Sequence, residues 1–70
     1  MTLKDAVIGT EYIVKNVNSE DEAMISFLLT LGCYEGAPIT VVQDLKTGYI
    51  VSIKDGRYSI DNDLAEAILI

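Results

Sequence analysis

The 70-residue chain has no histidine and a single cysteine. These two shortages remove much of the chemistry a small protein can carry. A structural zinc site takes four Cys or His ligands, and an internal disulfide takes two thiols. Acid–base and nucleophilic catalysis lose their commonest groups, and the carboxylates and tyrosines that remain have no catalytic spacing. Basic residues are also few, five against eleven acidic, for a net charge of −6. Phosphate binding needs a basic face, so nucleic acid is not an expected partner, and neither is an anionic membrane surface. The charge serves solubility first and attraction to a basic partner second. No apolar run approaches a membrane span, so direct membrane insertion is not expected. The opening MTLKDAVIGT lacks the apolar core of a signal peptide, and with one lone thiol the expected location is the cytoplasm.

Half of the residues are hydrophobic, and Pro and Gly are sparse, one and five. Such a chain folds, and its length allows one domain, residues 1–70. The segment before Gly9 reads as a short turn packed on the body. Residues 10–17 (TEYIVKNV) read as a strand whose alternation is imperfect, as in a bulged strand. Ser19 and Glu22 have the spacing of a capping box, and three acidic residues stand at the positive end of the helix that follows. That helix is expected over about residues 20–31 and ends at Gly32, a position that favours positive φ. Strands are expected at 39–44, 49–54, 57–60 and 65–70, with Asp55-Gly56 as a hairpin turn and 61–63 as a polar turn. The ends read as parts of the fold. Together this is a mainly β chain, a small bent sheet or barrel, with one α-helix inserted after the first strand.

The helix end carries a pattern that resembles a known family. Leu28-Leu29-Thr30-Leu31-Gly32-Cys33-Tyr34-Glu35-Gly36, followed by Val41-Val42, is similar to the L-L-x-x-G-(apolar)-x-x-G and V-V strand of the FeoA family of ferrous iron transport proteins. Leu3 and Gly9 match its opening, and Ala65, Ile68 and Ile70 its close. The resemblance implies an SH3-like β-barrel and a cytoplasmic accessory role, with a FeoB-type membrane GTPase transporter as partner. A related domain occurs at the C-terminus of metal-dependent repressors of the DtxR type. The alternative reading is therefore a free-standing regulatory or protein-binding module.

Candidate residues follow from these two readings. Cys33, next to Gly32, is expected to pack on Leu28 and Leu29 as an inert thiol. Gly36 allows the turn into Pro38. Asp61 and Asp63 could offer oxygen ligands to a hard cation, but a polar turn accounts for them and no metal or cofactor is expected. Arg57 follows the hairpin turn and is either a solvated cation or an arginine that reaches a GTPase partner. In the helix, Glu22, Ser26 and Thr30 mark a wet line, and Leu28 and Leu29 match the family's core pair. Phe27, flanked by Ala23, falls at the rim, either folded over the core or exposed as an interface anchor, including one between copies of the chain in a homo-oligomer. The expected function is a non-enzymatic binding module.

Overall fold

The computed structural model describes all residues 1–70. Six strands and two α-helices wrap one apolar core. The strands are β1 (Glu11–Ile13), β2 (Asn16–Val17), β3 (Pro38–Leu45), β4 (Gly48–Ile53), β5 (Gly56–Asp61) and β6 (Ile68–Leu69). The helices are α1 (Glu22–Leu31) and α2 (Asn62–Ala67), and a 3-10 turn, Leu3–Asp5, precedes them. Four strands form an antiparallel sheet in the order β1-β3-β4-β5, and β2 pairs with β6 in a second, two-stranded sheet. The expected barrel is therefore open: two small sheets enclose the core, and no ladder joins them into a closed cylinder.

The expected first strand is two strands, and the reason lies at Val14. Glu11–Ile13 pairs with β3, then the Lys15 amide turns to the Leu69 carbonyl at 2.8 Å. The chain thus changes sheets between Val14 and Asn16. Tyr12 and Val14 face inward, and so does Val17, which is out of phase by one residue. Strand alternation has a period of two, so a change of sheet is read in sequence as broken alternation.

A second departure is α2. The stretch expected to be a polar turn and a long final strand is a helix followed by only two strand residues. Asp61 caps it, its Oδ1 accepting from the Leu64 amide at 2.8 Å. Ala65 and Ala67 are buried in this helix, and their small side chains bring it close to the body. The β4–β5 hairpin also turns one residue early. Ile53 pairs with Gly56, so the loop is Lys54-Asp55, and Lys54 takes the positive φ of 53°. Asp55-Gly56 is not the central pair of the turn.

The core gathers Leu3, Val14, Leu28, Val41, Val51 and Ile68, among others, from every layer. No polar or charged side chain is buried with them. Burial of aliphatic side chains at about 1.5–3 kcal/mol each is the force that holds so small a domain together.

Candidate functional site

The helix α1 decides what the surface can do, so its ends and faces come first. Its N-cap is Asp21, whose Oδ1 accepts from the amides of Ala23 (3.0 Å) and Met24 (3.4 Å). The expected Ser19–Glu22 capping box does not form. Ser19 Oγ instead accepts from the Asp21 amide at 3.0 Å and shapes the turn before the helix. Glu22 is the first helical residue, where its charge favours the positive end of the dipole. The helix stops at Gly32, with φ 89°, and the Cys33 amide reaches back to the Leu28 carbonyl at 2.9 Å. Only glycine adopts that backbone without strain. Gly36 has the same positive φ, 89°, at the turn before β3.

Met24, Leu28 and Leu31 lie at i, i+4 and i+7 and form the inward line of α1; Leu28 is fully buried. Glu22, Ser26 and Thr30 are exposed on the wet side. Leu29 is not a core partner of Leu28: it is 52% exposed. Adjacent helical residues are about 100° apart, so a line through 24, 28 and 31 leaves both neighbours of Leu28 on its flanks. Phe27 occupies one flank, 46% exposed, with exposed Ala23 one turn before it. Cys33 is fully buried in the core with Leu28, and burial pushes its thiol from 9.0 up to about 11. At neutral pH that sulfur is protonated and unreactive.

Beyond the helix end, Tyr34 stands out from the surface. The Lys54 ammonium at the hairpin tip donates to its hydroxyl at 2.5 Å and lies 4.7 Å from the ring centre. This pair ties the end of α1 to the β4–β5 hairpin across a cleft of about 490 Å³, lined by Leu29, Gly32, Ile53 and Tyr58. Twenty residues separate Tyr34 from Lys54, and no local pattern in the sequence announces their contact. Arg57 is exposed on β5 opposite Ser52. Neither Arg57 nor the Phe27–Ala23 pair lines a cleft, and the structure does not gather them into one site.

No three of Cys, Asp and Glu converge. Asp61, a candidate oxygen ligand, spends one carboxylate oxygen on the α2 cap. No helix is long and apolar enough to cross a membrane.

Solved structures share this fold over nearly the whole chain. An iron uptake regulatory FeoA protein is 26% identical, with a TM-score of 0.86 over 97% of this chain and 91% of its own. The zinc-complexed FeoA of Stenotrophomonas maltophilia, described as a prokaryotic SH3 domain protein, is 20% identical, with a TM-score of 0.85 over 99% of this chain and 87% of its own. A bound zinc does not fit the residues present here, because histidine is absent, the one thiol is shut in the apolar core, and no carboxylates cluster to replace them. A manganese-dependent transcriptional repressor matches at 17% identity and a TM-score of 0.85, over 97% of this chain but 39% of its own. No curated protein matches the sequence. The architecture is SH3-like, and the FeoA domain model covers residues 1–70, so the chain belongs to the FeoA family of ferrous iron transport.

Proposed function

We propose that this chain is a non-enzymatic accessory protein that docks on the cytoplasmic part of a FeoB-type transporter and alters its GTP turnover or gating. Family membership over every residue supports the transport role. The observation that carries the docking surface is Phe27. It is 46% exposed on a helix whose inward line is already filled by Met24, Leu28 and Leu31. A half-exposed aromatic adds little to the fold, and burying the rest against a partner contributes about 1–2 kcal/mol. Ala23, one turn away, is small enough to let that partner approach the helix backbone. Iron is the transporter's cargo, and this chain acts on the transporter rather than on the metal.

The test is binding of the purified chain to the detergent-solubilised transporter, with GTP turnover measured alongside. Phe27→Ser should weaken binding about tenfold while costing only about 1 kcal/mol of stability, since just over half of the residue is covered in the fold. Wild-type protein that neither binds nor changes turnover refutes the partner. Binding that survives Phe27→Ser refutes the surface.

A further inference from the structure

The four-stranded sheet has two edges. One, β1, is three residues long; the other, β5, has six and no strand along its outer side. An unpaired edge is a row of free backbone donors and acceptors, and proteins usually blunt it with charge of one sign or cover it. Here the edge sequence is Arg57-Tyr58-Ser59-Ile60-Asp61, with one charge of each sign set symmetrically about Ser59.

The two-residue loop makes Ile53 and Gly56 the closing hydrogen-bonded pair of the hairpin. Bonding residues then alternate, so Gly56, Tyr58 and Ile60 direct their backbone groups at β4. The Ile60 carbonyl, close against Gly48, agrees with this. Arg57 and Ser59 direct theirs outward, as does the Asp61 amide, and none of the chain's turn, loop or cap backbone hydrogen bonds engages these groups. All three side chains are exposed.

We propose that β5 is a self-complementary edge on which two copies of this chain pair antiparallel about Ser59. In that register Ser59 faces Ser59 of the second copy, and Arg57 faces Asp61 on both sides of the two-fold axis. Residues with outward backbone groups meet one another, as an antiparallel ladder requires. The Asp61 carbonyl is committed to the first turn of α2, as that of a cap residue is. Four backbone bonds remain: two across the Ser59 pair and two from the Asp61 amides to the Arg57 carbonyls. Sliding by two residues in one direction sets Asp61 against Asp55 and leaves Arg57 facing Ser59, and sliding the other way carries the pairing into α2, which begins at Asn62. Opposite charges directly across a ladder stabilise it, and like charges destabilise it. The product is one continuous sheet of two four-stranded halves related by a two-fold axis, a closed isologous dimer. Five residues of edge bury less than the ~1,200 Å² of a standard interface, so the dimer is weak and its population rises with concentration.

Sedimentation at low salt tests this. The weight-average mass should rise with concentration from 7.7 kDa toward twice that value. The Ser59 amide should become protected from hydrogen exchange over the same range. Arg57→Glu sets a second carboxylate against Asp61 and should weaken self-association at least tenfold. Asp61→Lys sets an ammonium against Arg57 and should do the same, and Asp61→Asn, which keeps a cap acceptor, should weaken it with α2 intact. Mixing the Arg57→Glu and Asp61→Lys proteins restores attraction at both ends and should restore the dimer. Ser59→Pro removes an outward amide without touching β4 and should abolish it. A chain that stays monomeric at millimolar concentration overturns the proposal. So does a dimer that tolerates Arg57→Glu and Ser59→Pro, which would place the contact elsewhere, with α1 the next surface to map. Protection of Ser59 only when another protein is added also overturns it, by giving the edge a different occupant.

Discussion

Replacing Gly48 by alanine should be the most damaging single-methyl change in this protein. Gly48 opens β4, opposite Leu45 on one side and Asp61 on the other. A Cβ built there would stand 2.0 Å from the Ile60 carbonyl oxygen and 2.8 Å from the Asp61 Cα. Both are backbone atoms, so no side chain can swing aside. An ordinary carbon–oxygen approach is about 3.3 Å or more, so β4 and β5 must part by roughly 1 Å at this end. Overpacking of that kind costs about 1–3 kcal/mol. Asp61 must move too, and its cap on α2 is worth about 1 kcal/mol. Alanine's smaller loss of backbone freedom returns roughly 0.5 kcal/mol. The net is about 3 kcal/mol, which in a domain of this size lowers Tm by roughly 20 °C. Thermal unfolding followed by circular dichroism measures it, with the exposed neighbour change Thr47→Ala as a control expected within about 0.5 kcal/mol. A Gly48→Ala protein that melts within about 5 °C of wild type would refute the close approach of the two strands and the reasoning built on it.

Two further outcomes test the helix. Asp21→Ala should cost about 1 kcal/mol by removing the cap, and Ser19→Ala clearly less, because Ser19 bonds only to the turn; urea denaturation ranks the two. Cys33 should resist thiol reagents at neutral pH until the protein unfolds. Its folded thiol, near 11, loses a proton less readily than the unfolded one near 9.0. The folded state therefore holds the proton longer, and the stabilisation is complete below pH 9 and lost as pH rises toward 11. Wild type should lose about 2–3 kcal/mol more than Cys33→Ala over that interval, and parallel pH curves would place the thiol outside the core.

The legible parts of the fold are those fixed by local chemistry. α1 can be read because its end demands Gly32 and its start gathers acidic residues, and the strands after Pro38 carry dense β-branched runs. The cap is ambiguous in sequence because Ser19 and Asp21 are both good cap residues, and only the direction of the incoming chain chooses between them. α2 escapes a reading by pattern because six residues are too few for periodicity to register. Asp61 three residues before Leu64, with Ala65 and Ala67 following, is the available signal. The exposure of Leu29 cannot be read, since a helix so rich in leucine has more than one plausible inward line. Which line wins is set by β-strands far away in sequence. The Tyr34–Lys54 tie and the free edge of β5 are likewise products of strand order, which a single sequence does not display.

The two ends of the chain meet. Thr2 bridges to Leu69, and the Ile70 amide donates to the Met1 carbonyl at 3.0 Å. A domain whose entry and exit lie side by side can be spliced into the loop of another protein without prying that loop apart, and can be appended at either end with the same outcome. Any attached segment leaves from one spot, and the remainder of the surface is presented unchanged. The topology therefore behaves as a cassette, and its occurrence as 39% of a longer repressor chain is what such a cassette permits.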